Sequence, residues 1–230
     1  MDELIGVGLY TPAEAGRLLN IAPGKIIRWL RGHRAGEQDY EPLWKSQIDL
    51  DDGRTYLGFR DLMEARVAEK FISHGVSPQR VRAAIRLARE IIGDERPLST
   101  DRFRTDGRDI FLRVAEKDEQ GEEREQLLNL FRRQYEFKHI IDPLLKTVDF
   151  DERGSPLLWW PAGRRANIIV DPARSFGQPI DALTSVPTAA LAAAARSEGI
   201  EKAAKTYDVS LASMRRAVDF EAELARRLAA

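Results

Sequence analysis

Residues 11–34, TPAEAGRLLNIAPGKIIRWLRGHR, decide how the chain begins to fold. Thr11 stands before Pro12, and Glu14 follows three residues after Thr11, a capping box with proline at the first helical position, so a helix begins at Pro12. Ala15, Leu18 and Leu19 give it an apolar face at the i, i+3, i+4 spacing. Asn20 ends it, and Ile21-Ala22 lead into Pro23, which opens a second short helix to about Arg31 with Ile26, Ile27 and Leu30 apolar. Two short helices joined by three or four residues are a helix-turn-helix pattern, whose second helix can enter a DNA major groove.

The charge agrees with that geometry. The chain of 230 residues carries 36 Lys+Arg and 37 Asp+Glu, a net charge of -1, which excludes nucleic-acid coating through bulk charge. Between Arg17 and Arg34, however, the ionisable residues are Arg17, Lys25, Arg28, Arg31 and Arg34, five bases and no acid, apart from the neutral His33. Further on, PLWKSQIDLDDGRTYLGF (residues 42–59) holds two candidate strands around Asp52-Gly53, a strong hairpin dipeptide, and reads as a wing. A third helix starts at Phe59. A fourth runs from a Ser77 cap to Gly93, with Val81, Ala84, Ile85, Ala88 and Ile92 as core stripe and Arg82, Arg86 and Arg89 opposite.

The middle of the chain changes character. RFRTDGRDIFLRV reads as a β-hairpin around Asp106-Gly107, followed by a highly charged stretch. From Glu122 a helix carries Leu127, Leu130, Phe131, Tyr135 and Ile140 and stops at Asp142-Pro143. A strand-rich stretch over residues 155–180 follows, in which Trp159-Trp160 and Ile168-Ile169-Val170 read as core or interface. Three helices close the chain: Pro187 to Ser197, Ile200 to Thr206, and Ser210 to near Leu228. They form a second helix-turn-helix pattern, whose long last helix has Leu211, Met214, Val218 and Leu224 placed to pack against another helix. The expected fold is therefore mainly α with small β elements. It comprises an N-terminal winged helix-turn-helix with an extra helix (1–96), a connecting region of hairpin, helix and strands (97–166) and a C-terminal helical domain (167–230).

Several chemistries are excluded or unsupported. The chain has no cysteine, so it has no disulfide, thiolate metal site or cysteine nucleophile. Its three histidines, His33, His74 and His139, are far apart and read as surface or capping residues rather than metal ligands. No phosphate-binding glycine loop or GxSxG elbow occurs, and no acid stands in a recognisable catalytic constellation. The expectation is a protein that is not an enzyme and needs no cofactor or metal. The first residues form neither a leader nor a membrane span, which points to the cytoplasm.

Tyr10 to Ala15, Ile26-Ile27-Arg28-Trp29 and Tyr56 to Leu62 resemble the winged DNA-binding domain of MerR-type regulators, without the long dimerisation helix and effector cysteines of that family. Ile168 to Leu228 resembles the domain-of-unknown-function family 433, carried by Gly177-Gln178-Pro179-Ile180, Val186-Pro187-Thr188 and Ala203 to Tyr207. Asp181 to Ser185 departs from the arginine-glycine-threonine turn common there. The order of the two parts resembles VapB-type antitoxins. The resemblance implies a protein that neutralises a PIN-type ribonuclease toxin and represses its own operon, as a homodimer on operator DNA. The alternative is a stand-alone MerR-like regulator with a C-terminal oligomerisation or ligand-sensing domain. On this reading Thr11, Lys25, Arg28, Arg31, Arg34 and Arg54 meet DNA. Either Arg164, Arg165 and Arg174 or Arg226 and Arg227 reach the toxin's acidic site, and Leu211, Met214, Val218 and Leu224 hold the dimer.

Overall fold

The structure is a computed structural model describing residues 6–116 and 134–229. The described chain is mainly helical with two small antiparallel sheets. Helices α1 (Pro12–Leu19) and α2 (Pro23–Arg31) lead into strands β1 (His33–Ala35) and β2 (Gln38–Tyr40). Then come α3 (Phe59–Ser73), α4 (Pro78–Ile92), α5 (Arg102–Glu116) and α6 (Gln134–Leu145). The second sheet, of order β3-β4-β5-β6, is built from β3 (Val148–Phe150), β4 (Pro156–Trp159), β5 (Ile168–Val170) and β6 (Pro179–Asp181). Helices α7 (Thr188–Glu198), α8 (Ile200–Thr206) and α9 (Leu211–Ala229) complete the chain. Among the described residues no helix is long and apolar enough to cross a membrane.

Helix α3 is the axis of the fold. It buries Phe59, Leu62, Met63, Ala65, Val67, Ala68 and Phe71, and with them the acids Asp61 and Glu64. The Phe71 ring lies 4.5 Å from Phe111, 6.0 Å from Phe137 and 6.1 Å from Phe103, joining α3, α5 and α6 through aromatic edges and faces. One large buried cluster extends from Tyr10 to Leu224, and a small second one, built on Leu191, Ala203, Ala204, Val209, Met214 and Ala217, belongs to α7, α8 and α9. Trp159 and the run Ile168 to Val170 are buried, as core.

Three local expectations are corrected. Residues 102–116 form helix α5, not a hairpin around Asp106-Gly107. Phe103, Gly107, Ile110, Phe111, Val114 and Ala115 recur at helical spacing and face inward, a periodicity that outweighs one turn-forming dipeptide. Gly107 serves close approach: a Cβ there would lie 2.8 Å from the tip of the Phe137 ring and 2.9 Å from that of Phe103.

Second, no strand forms between Leu43 and Tyr56, so Asp52-Gly53 turns no hairpin. The Asp61 carboxylate accepts from the Gln47 N–H (2.7 Å), the Gly58 N–H (3.0 Å) and Trp44 Nε1 (3.2 Å), while the Ser46 hydroxyl donates to Tyr56 O (2.6 Å). Side-chain bonds thus replace a ladder. The hairpin that follows α2 is instead β1–β2, paired His33↔Tyr40, Arg34↔Asp39 and Ala35↔Gln38 about Gly36-Glu37, with Gly36 at φ 61°.

Third, α6 continues through Pro143 to Leu145 rather than stopping at Asp142-Pro143; the proline forfeits one i→i−4 bond, but only two helical residues follow it, so the break comes at Leu145 instead of before the ring. The expected start of that helix at Glu122, with Leu127, Leu130 and Phe131, lies outside the described residues.

Candidate nucleic-acid and partner surfaces

The α1–α2 unit is held by the devices its sequence announces. The Thr11 hydroxyl accepts from the Glu14 N–H (3.2 Å), and the Glu14 carboxylate accepts from the Thr11 N–H and hydroxyl (both 2.8 Å). Asn20 closes α1 in the left-handed conformation, φ 59°. Gly16 lets the chain fold back tightly, since a Cβ there would meet Ile21 O at 2.5 Å. Helix α2 then buries Ile26, Trp29 and Leu30 and turns Ile27 and Arg28 to solvent.

The five bases of this segment are not equivalent. Arg17 points away from α2 and pairs with Glu221 of α9, whose other oxygen accepts from the Thr188 hydroxyl (2.5 Å). Lys25 pairs with Glu69 of α3 at 2.7 Å and lies 5.2 Å over the Trp29 ring, half-buried. Arg31 donates to Gly53 O at 2.5 Å, fixing the 49–55 loop beside α2, and Arg34 faces Asp39 across the hairpin at 3.7 Å, both ends exposed. Arg28 is exposed, and its guanidinium makes no hydrogen bond or ion pair among the described residues. Arg54 is exposed in the 49–55 loop beside Asp52 and Tyr56. Of the residues read as DNA contacts, α2 and its two flanking loops thus gather Arg28, Arg31, Arg34 and Arg54 on neighbouring elements. Thr11 and Lys25 are engaged in holding the unit together. Sequence reasoning missed the exposed side of the true hairpin, including His33, whose ring stacks on Tyr40 at 4.8 Å, and Gln38. The Gly36-Glu37 dipeptide was its signal, masked by three-residue strands with no apolar alternation.

Of the α4 arginines opposite the core stripe, Arg89 bonds to Glu95, while Arg82 and Arg86 hold the segment that leaves the hairpin. Arg82 donates to Pro42 O (3.1 Å) and to Glu41 O, and Arg86 lies 3.6 Å from the Glu41 carboxylate.

The residues read as toxin contacts also differ. Arg164 is tied to the Asp149 carboxylate and lies 5.3 Å over Trp160, whose Nε1 donates to Asp149 at 2.9 Å. The Arg164 guanidinium, the largest cause, holds the Asp149 carboxyl below the usual carboxylate range. Arg174 bridges Asp171 (2.7 Å) and the Ser185 hydroxyl (3.0 Å). Arg226 and Arg227 share Glu223 at 2.9 and 3.4 Å. Arg165 alone of the five is exposed with no ion pair or side-chain hydrogen bond among the described residues. In α9, Met214 and Leu224 are buried within the chain, 0% and 2% exposed, with Leu224 at the wall of a cleft shared with α1, while Leu211 is 43% exposed and Val218 half-buried.

The segment entering α1 meets the second sheet. The Tyr10 hydroxyl donates to Gly177 O (2.8 Å) and the Leu9 N–H to Phe176 O (3.0 Å), so the β5–β6 loop sits on the segment entering α1. Burial, followed by the charges of Asp171 and Glu14, holds the Tyr10 phenol well above its ordinary pKa, hence as a neutral donor.

The class defined by these features is a mainly helical protein with a basic two-helix unit at its front, joined to a C-terminal three-helix unit through a small sheet. The particular likeness is to mycobacterial proteins. The chain is 28% identical over 184 residues, 76% of its own length and 77% of the other's, to a Mycobacterium tuberculosis (strain ATCC 25618 / H37Rv) protein named as a candidate antitoxin, VapB45. It is similar to the crystal structure of Rv2018 from Mycobacterium tuberculosis, with TM-score 0.73 and 25% identity, covering 93% of this chain and 99% of that one. No protein-family model matches the chain.

Proposed function

We propose that the chain is a VapB-type antitoxin, which binds and neutralises a PIN-type ribonuclease toxin and represses its own operon from the α1–α2 unit. The observation that carries this reading is the likeness, over three quarters of both chains, to a protein named as an antitoxin. In this reading α1–α2 with β1–β2 acts as a winged helix-turn-helix. The exposed Arg28 guanidinium reads a guanine edge or a phosphate, Ile27 beside it offers apolar contact to a thymine methyl, and Arg31, Arg34 and Arg54 meet flanking phosphates. Arg165 is the side chain free to enter the acidic metal-holding site of the nuclease, where a guanidinium can pair with carboxylates in two-pronged fashion.

Two experiments test the two halves. Co-expression with the neighbouring nuclease gene should restore growth and give a co-purifying complex. Loss of both with Arg165→Glu, in a variant of unchanged stability, is expected; full rescue by that variant removes Arg165 from the contact. On the operon's own promoter, Arg28→Ala should weaken binding by about 1–3 kcal/mol if Arg28 reads a base, or lower the salt slope by about one if it meets a phosphate. Equal affinity and equal slope would take α2 out of DNA recognition.

A further inference from the structure

Phe176 is the most exposed large apolar side chain among the described residues, at 73%. It sits in a short turn, Ser175–Gly177, where Ser175 (φ 48°) and Phe176 (φ 54°) are both left-handed, a conformation unusual for a bulky residue and costly by roughly 1–3 kcal/mol each. The surrounding structure enforces it. Leu9 and Tyr10 clamp the carbonyls of Phe176 and Gly177, Asp171 caps Ala173 N–H (2.9 Å) and holds Arg174, and Gly177 fits only because a Cβ would come within 2.1 Å of the Tyr10 hydroxyl. The ring is thus a rigid, outward-pointing knob rather than a frayed loop tip.

Directly beside it is a cleft of about 150 Å³, lined by Leu9, Tyr10, Leu18, Pro179, Ala189 and Leu224. A cavity of about 150 Å³ with apolar walls is the size that accepts a benzene ring. Glu14, Arg17, Gln178 and Glu221 complete its lining; Glu14 is held by Thr11, Glu221 by Arg17 and Thr188, and the Tyr10 hydroxyl by Gly177 O, so a ring entering it strands none of these bonded groups. Knob and cleft share their boundary: Leu9 and Tyr10 line the cleft and hold the backbone that carries Phe176.

We propose that this face is the contact between two copies of the chain, with Phe176 of each copy seated in the other's cleft. A two-fold contact needs a patch complementary to itself, and a knob adjacent to a pocket of its own size meets that requirement on both sides of the axis. The cleft wall includes Leu18 of α1, so the same contact would fix two α1–α2 units relative to one another. Only this last step rests on the DNA-binding reading above.

Light scattering with size-exclusion chromatography on the full chain tests the proposal. The wild type should be two copies, and Phe176→Asp and Ala189→Trp, both at exposed positions, should be single copies with unchanged circular dichroism and unfolding midpoint. Phe176→Ala should weaken the dimer roughly a hundredfold to ten-thousandfold, because two buried rings are lost. Leu183→Asp, removing an equally exposed residue at 72%, should leave the dimer intact. Mixing Phe176→Ala with Ala189→Trp should restore part of the association, since one knob and one open cleft remain. A monomeric wild type, or dimers that persist in both Phe176→Asp and Ala189→Trp, would overturn the proposal. Dimers that persist in Phe176→Asp while toxin binding is lost would also overturn it, by assigning the knob to the toxin. If Phe176→Asp is monomeric but binds the promoter as tightly as wild type, the two-fold stands and its role in placing two α1–α2 units on DNA fails; if neither protein binds the promoter, the DNA-binding reading fails while the two-fold stands.

Discussion

Glu64 gives the sharpest test of the core. It is fully buried in α3, where Oε2 accepts from the Ser99 N–H at 2.8 Å while Oε1 has no partner. Burial is the dominant influence, opposed by the backbone N–H groups of Ser99 and Leu98 and the charge of Arg96, and it pushes the carboxyl from 4.5 up to about 8. A raised folded-state pKa means that the folded protein keeps a proton the unfolded chain has already released. The stability this confers is complete below about pH 4.5 and is lost progressively as pH rises to about 8. A difference of about 3.5 pKa units corresponds to at most ~5 kcal/mol, and relaxation or water entry would bring it nearer ~2–3 kcal/mol. Glu64→Gln keeps the acceptor for Ser99 and removes the titration. Urea unfolding of both proteins at pH 5 and pH 8 measures the effect. Wild-type stability should drop between these values by at least ~2 kcal/mol more than that of the variant, at constant m-value. Parallel pH dependences would refute the claim that Glu64 is buried as a proton-bearing acid.

Other perturbations read out separate joints. Gly107→Ala should destabilise the fold by about 1–3 kcal/mol although alanine favours helix, because the new methyl must displace the Phe103 and Phe137 rings; a stabilised variant would show that the rings do not pack there. Gly177→Ala should cost about 3 kcal/mol or more, from its φ of 81° and the Tyr10 hydroxyl, and less than the additive sum when combined with Tyr10→Phe, whereas strict additivity in chemical denaturation would separate the two residues. Glu221→Ala should destabilise by about 2–4 kcal/mol, since it strips Arg17 and Thr188 of their buried partner; Glu221→Gln, which keeps the Thr188 bond, should cost less, and the reverse order of midpoints would contradict the geometry.

What could be read from the sequence was what local chemistry specifies. Thr11, Pro12 and Glu14 fix the start of α1 without help from the rest of the chain, and the core stripe of α4 follows from spacing alone: all five of Val81, Ala84, Ile85, Ala88 and Ile92 are buried. The misreadings came where a short-range signal met a long-range one. Asp106-Gly107 is a good turn only until the rings of Phe103 and Phe137 need the space a glycine leaves, and Asp52-Gly53 is a good hairpin only until Asp61, eight or more residues on, collects the donors a ladder would use. The Tyr10–Gly177 and Arg17–Glu221 contacts span 167 and 204 residues and leave no periodic trace to find.

The same long-range pairing changes what the basic segment can do. Counted along the sequence, Arg17 to Arg34 offers five cations to phosphate. Counted in space, Arg17 is neutralised by Glu221, Lys25 by Glu69 and, more loosely, Arg34 by Asp39, which leaves Arg28 free and Arg31 hydrogen-bonded only to a backbone carbonyl. Each phosphate neutralised adds about 0.9 to the slope of log affinity against log salt, so two or three contacts per chain give a shallow slope and weak binding. If the chain is a repressor, a single copy is therefore a poor one, and doubling the contacts across a fixed two-fold is the route open to it without more charge. A measured slope near two for a monomeric Phe176→Asp variant and near twice that for the wild type is the expected signature. A single-copy protein with a slope of five or more would mean that the pairings with Glu221, Glu69 and Asp39 open when DNA is bound.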